Sequence, residues 1–188
     1  MSNPENTETS TSTSKSKINS YWRWIAPNTK VRDSLDLLVS NNPAFEGLTS
    51  SERLTLKRVL HKRIYSAEEV VFNKGEPGLG MYLILEGKVS IFGMDSDGNK
   101  MEYAILKKGQ FIGELALLEE VPRSASAECL EDTILFGFFR PDLQDLVERK
   151  PAIAAKILQN VGSLMGKRLR LMNEELHTLQ SSINLGKA

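Results

Sequence analysis

Cysteine is nearly absent: Cys129 is the one thiol in 188 residues. An intrachain disulfide is therefore impossible, a cysteine metal cluster is excluded, and the reducing cytoplasm is the expected setting. Histidine is almost as scarce. His61 and His177 fall on segments expected to be helical, and neither shares a local motif with a nucleophile, so the sequence reads as a non-enzyme without a metal site. Long hydrophobic runs are missing too, and none approaches the roughly 18 residues of a membrane span. Nor is there a surplus of one charge. The 24 basic and 24 acidic residues cancel, so no global field draws the chain to nucleic acid or an anionic membrane. The N-terminus lacks the apolar core of a signal peptide, and Glu5 and Glu8 argue against a mitochondrial transit sequence.

What is present suits one globular domain with appendages: 40% hydrophobic and 26% charged residues. Residues 1–20 are dense in Ser and Thr and almost free of apolar side chains, so a disordered tail is expected there. Residues 21–61 read as an N-terminal helical segment. A short amphipathic helix is expected over 31–40, and a second from Thr49 or Ser50 to about His61, where a capping residue precedes Glu52 or Arg53 at the right distance.

From 62 to 139 short β-branched and aromatic runs recur: VVF at 70–72, MYLIL at 81–85, KVSIF at 88–92, MEYAIL at 101–106, ASAECL at 125–130 and DTILFGF at 132–138. Turn signals such as KGEPG (74–78) and DSDGN (95–99) separate them. Many short strands without long intervening helices predict an antiparallel β-roll of jelly-roll type. GELALLEE (113–120) interrupts them as one short helix. Residues 140–188 read as C-terminal helices, with Pro151 suited to the first turn of a long one. Along it Met165, Leu169, Met172, Leu176, Leu179 and Ile183 follow a 4-3-4-3-4 spacing, the a/d seam of a coiled coil. A parallel homodimer is the expected use of that stripe; packing back on the chain's own roll is the alternative.

Three glycine signals are decoys. Gly75, Gly78 and Gly80 lack the third dinucleotide-binding glycine and precede a strand, which suits a tight turn. Gly87-Lys88 has no P-loop glycine upstream and no Ser or Thr after it. DSDGN opens like a calcium loop, yet its twelfth position is Leu106, so a hairpin turn is expected.

The stretch FIGELALLEEVPRSASA (111–127) carries the chemistry. If its middle is a helix, the amides of Glu114, Leu115 and Ala116 lack helical partners and face an anion. Gly113 leaves that backbone open, and Arg123, set by Pro122, supplies a charge-assisted fork beside the Ser124 hydroxyl. One Arg and one helix terminus suit a phosphate diester. Glu114 would repel phosphate unless it held a donor of its own, which a ribose 2′-hydroxyl provides. A nucleotide whose phosphate is folded back on its ribose satisfies both.

This stretch closely resembles the phosphate-binding cassette of the cyclic-nucleotide-binding domain found in catabolite-activator-type regulators, kinase regulatory subunits and gated channels. Similarity extends through FEGLTSSERLTL (45–56), VVFNKGEPGLGMYLILEGKVSIF (70–92) and ILKKGQF (105–111), over roughly residues 43–180. The resemblance implies that Glu114 holds the ribose and that Arg123 with Ser124 holds the phosphate, the Leu115 and Ala116 amides completing the cradle. Ile91 and Tyr103 would wall the ligand, and Met172 or Asn173 would cover the base. Cyclic AMP is the implied ligand, with cyclic GMP open because Ser124 could also meet a guanine amine; no cofactor is implied. Catabolite-activator relatives carry a helix-turn-helix after the long helix. Only residues 184–188 follow here, so direct DNA binding is not expected and the output would pass to a protein effector. Lys167, Arg168 and Arg170 read as a solvated helix face. The competing expectation is a structural domain of the same fold that dimerises and binds nothing.

Overall fold

A computed structural model describes residues 28–185, with side chains placed from 33 to 182. The expectations for the tail at 1–20 and for the Ile183 end of the seam lie outside these residues. The chain divides into two units, residues 1–33 and 34–188, and all the strands lie in the second.

Helix α1 spans Asn28–Asn41 and is followed by a 3-10 turn, Pro43–Phe45. The Asn42 side chain begins that turn by accepting from the Ala44 amide. Helix α2 spans Ser50–Arg58 and opens with the expected capping box: Thr49 and Glu52 each accept the other's backbone amide. It ends three residues before His61, which begins a strand. The expectation of helix to His61 is corrected because HKRIY is a polar strand whose alternation is masked by its charges.

Eight strands follow the expected antiparallel roll: β1 (His61–Tyr65), β2 (Val70–Phe72), β3 (Gly80–Glu86), β4 (Lys88–Met94), β5 (Lys100–Lys107), β6 (Phe111–Ile112), β7 (Ser126–Cys129) and β8 (Thr133–Phe139). They form two four-stranded antiparallel sheets in the orders β1-β8-β3-β6 and β2-β7-β4-β5. Ile84, Ile112 and Leu135 from the first sheet meet Val89, Ala127 and Cys129 from the second in the core between them. The reverse faces of β3 and β8 are buried as well, with Met81, Leu83, Leu85 and Phe138 fully enclosed. Helices pack on both strands, which is why GMYLILE and TILFGFF read as continuous apolar runs rather than alternating ones.

The glycine readings change in detail at two positions. Gly75 turns at φ +86°, but Gly78 and Gly80 have ordinary φ and are small because neighbouring backbone is close. A Cβ on Gly80 would lie 2.3 Å from the Phe138 carbonyl. DSDGN is the expected hairpin turn between β4 and β5: Asp95 accepts from the Asp97 and Asn99 amides and Gly98 sits at φ +81°.

Helix α3 is the short element of the cassette, Leu115–Leu118, between β6 and β7. After β8 come α4 (Arg140–Arg149) and the 35-residue α5 (Pro151–Leu185). The junction has no slack: the Lys150 carbonyl accepts from both Ile153 and Ala154 as α5 begins. Ile153, Ile157 and Val161 bury the start of α5, whereas Leu169, Met172, Leu176 and Leu179 are 55–60% exposed. The seam therefore does not fold back on the roll. Among the described residues no helix is long and apolar enough to cross a membrane, and no cluster of three or more His, Cys, Asp or Glu could hold a metal.

Candidate functional site

The strand β6 ends at Ile112, and Gly113 turns the chain at φ +73° into α3. That conformation favours glycine, and a Cβ there would also lie 2.2 Å from Nη1 of Arg123. Gly113 thus serves the turn and the arginine together. Arg123 arrives from the far end of the cassette. Its backbone is pinned to the 74–78 turn, donating to the Glu76 carbonyl (2.9 Å) and accepting from the Gly75 amide (2.8 Å). Pro77 and Pro122 form a bridge beside it.

The Arg123 side chain is buried, with 7% of the residue exposed. Its guanidinium lies 4.1 Å from the Phe72 ring centre and 6.0 Å from that of Tyr82. Nη1 donates to the Gly113 carbonyl at 3.1 Å, and Nε is buried with no hydrogen-bond partner among the described residues. Burial pushes the guanidinium pKa down, while Tyr82, Glu114 and Glu76 favour its charged form. A buried cation with an unmet donor is costly unless something anionic completes it.

A cavity of about 200 Å³ lies over this group. Gly113, Glu114, Leu115, Ala116, Arg123 and Ser124 all line it, as does Ile91. Three other expected residues do not. Tyr103 is the extra residue of a β-bulge, skipped where Ile91 pairs with Ala104 and Phe92 with Glu102. Its ring sits over Gly93, and it is 53% exposed. Met172 and Asn173 are exposed and sit about one turn further along α5 than the side chain that does reach the cavity, Arg168. Phe72, Leu106, Phe111 and Arg168 also line the site, beyond the residues expected from the sequence. Phe72 and Leu106 were readable only as strand residues. Arg168 lay in a basic cluster that resembles any solvated helix face.

The amides also differ from expectation. Ala116 donates to the Gly113 carbonyl at 3.2 Å and Leu117 to that of Glu114 at 3.0 Å. The tight turn out of Gly113 therefore engages the Ala116 amide and leaves those of Glu114 and Leu115 open among the described residues. Glu114 makes no capping bond to its own helix. Its carboxylate is free of the usual helix-start duty and pairs instead with Arg168.

The other end of α3 is held by Arg140, the first residue of α4. One guanidinium nitrogen donates to the carbonyls of Gly78 (2.8 Å), Ala116 (3.0 Å) and Glu119 (2.8 Å), and another lies 3.3 Å from Glu120. Carbonyls that a short helix leaves unpaired are thus gathered by one cation.

Residues 62–150 match the family model of the cyclic nucleotide-binding domain. The Cyclic AMP receptor protein of Thermus thermophilus is 35% identical over 141 residues, 75% of this chain and 63% of that protein. A cAMP-dependent protein kinase type II regulatory subunit from Drosophila melanogaster is 35% identical over 107 residues, 57% of this chain and 28% of the subunit. The crystal structure of the Thermus thermophilus catabolite activator protein superposes with a TM-score of 0.66 at 36% identity, covering 74% of this chain and 63% of that one. The chain thus spans less than two thirds of these relatives. The roll and its cassette thus match the cyclic nucleotide-binding domain family over residues 62–150.

Proposed function

We propose that this domain binds a cyclic mononucleotide, cyclic AMP first and cyclic GMP second, and acts as a ligand-responsive regulatory module. One observation carries the reading: a buried Arg123 guanidinium with an unmet Nε lies at a cavity whose rim is Gly113, Glu114 and Ser124. A cyclic phosphate supplies the missing acceptors through charge-assisted bonds, with the open Leu115 amide and Ser124 beside it. Glu114 takes the ribose 2′-hydroxyl, and Ile91 with Phe72 and Leu106 gives the sugar and base an apolar wall. The relatives named for cyclic AMP support that ligand as the first to test. The chemistry is binding rather than catalysis, and a cytoplasmic setting suits the single thiol, Cys129, which is buried.

The output runs through α5. Its exposed seam supports a parallel homodimer, and ligand binding would shift the population of helix positions that a second copy or a protein effector meets. The test is calorimetric titration of the protein with cyclic AMP and, separately, cyclic GMP, alongside Arg123→Ala. Binding of one nucleotide that the variant weakens at least a hundredfold supports the reading, since a lost charged contact in a buried site costs about 3 kcal/mol or more. No heat from folded, nucleotide-free protein with either ligand leaves a dimerising structural domain in its place.

A further inference from the structure

Arg168 stands 54 residues beyond Glu114 in sequence, yet its Nη1 donates to Glu114 Oε1. The guanidinium also lies 4.9 Å from the Phe111 ring centre, so the contact is held on a platform as well as by charge. The Glu114 side chain is 12% exposed and that of Arg168 46%: the acid belongs to the site and the base reaches in from the long helix. Both line the cavity that contains Arg123, and at about 200 Å³ that cavity is smaller than the roughly 300–1,000 Å³ of ligand sites generally. Arg168 is the lining residue that comes from α5; the rest belong to strands and to the cassette.

We propose that Arg168 is an affinity-setting residue that latches the empty site. It occupies the carboxylate that a ribose hydroxyl needs, and the ligand enters by displacing it. The inference rests on the nucleotide reading above and adds to it the residue through which occupancy of the pocket reaches the long helix. A ligand whose ribose takes Glu114 releases α5 from the cassette at position 168. Arg168 therefore lowers affinity in the resting protein, and its removal strengthens binding. Exposed ion pairs are worth about 0.2–1 kcal/mol, so the gain is about 1.4-fold to fivefold in Kd. It is electrostatic, so it shrinks as salt screens the pair.

The test has two arms. In the first, cyclic AMP and cyclic GMP are titrated into the wild type, Arg168→Ala and Arg168→Gln at low and high salt, with thermal melts establishing that each variant is folded. Tighter binding by both variants, with the advantage fading at high salt, supports the latch. Unchanged or weaker binding overturns it, the weaker case making Arg168 a direct ligand contact. In the second arm, amide hydrogen exchange is followed without nucleotide. Arg168→Ala and Glu114→Gln should each speed exchange in α5 around residues 164–172, and equal exchange in all three proteins overturns the latch. If the wild type and both variants bind neither nucleotide, the nucleotide reading fails with the displacement step, while the exchange arm still reports whether the pair holds the helix.

Discussion

The two halves of α5 have similar apolar content and opposite fates. In the first three turns Ile153, Ala154, Ile157 and Val161 are at most 5% exposed, packed against the domain's own elements. From Leu169 to Leu179 the apolar side chains stand in solvent. The early half is tied by polar contacts as well: Lys156 reaches Glu52 at 2.8 Å, and Asn160 donates to the Glu46 carbonyl at 2.8 Å. Distal to residue 161, Arg168 ties the helix to the cassette through Glu114 and the Phe111 ring. Periodicity marks a face that can be buried, but whether a surface lies opposite depends on how far the domain extends. The helix simply outruns the roll.

That contrast can be broken most strongly at its buried end. Ile157→Ala should cost about 2–5 kcal/mol, the range for truncating a fully buried isoleucine, and urea unfolding would read it as a large fall in midpoint. The same truncation at the exposed end, Leu176→Ala, should leave the dilute chain's stability within about 0.5 kcal/mol, since no contact of its own domain is lost. Any larger effect that grows with protein concentration would show the seam occupied by a second copy, as sedimentation velocity would confirm. The smallest effect sharpens the proximal tie. The Lys156 ammonium, with the Thr49 amide, holds the Glu52 carboxyl below the usual range. A carboxyl depressed in the folded state stabilises fully above its unfolded value, near 4.3, and loses that contribution as pH falls through its folded value. The difference in unfolding midpoint between the wild type and Glu52→Gln should therefore be present at neutral pH and close as the buffer is taken below about 4.

The sequence carried most of the architecture because the signals were local. Six strand runs, the Thr49–Glu52 cap, the Pro151 start and the hairpin at 95–99 depend on near neighbours, and all appear. Strands β1 and β6 are hard to read from sequence for opposite reasons. HKRIY is charged enough to hide its alternation, and Phe111-Ile112 is too short to show one. In the site, Gly113, Glu114, Arg123 and Ser124 were readable because a single stretch of chain supplies them. Arg168 was not, since its meeting with Glu114 depends on where a helix begun at Pro151 points after five turns. Tyr103 falls at the bulge in β5 and outside the cavity, and no local pattern announces that bulge.

Arg140 gives the molecule a mechanical advantage. By gathering the carbonyls of Gly78, Ala116 and Glu119, it makes the cassette helix and the root of α4 one rigid piece. The tight joint at Lys150 couples that piece to the packed root of α5, and beyond Val161 the helix runs on to Leu185 as an arm about 35 Å long. A rotation of about 5° at the root of that arm sweeps the far tip through about 3 Å, roughly half a helical turn. Gain of that kind comes from length alone, so the distal half of the arm can report an event in the pocket without touching it.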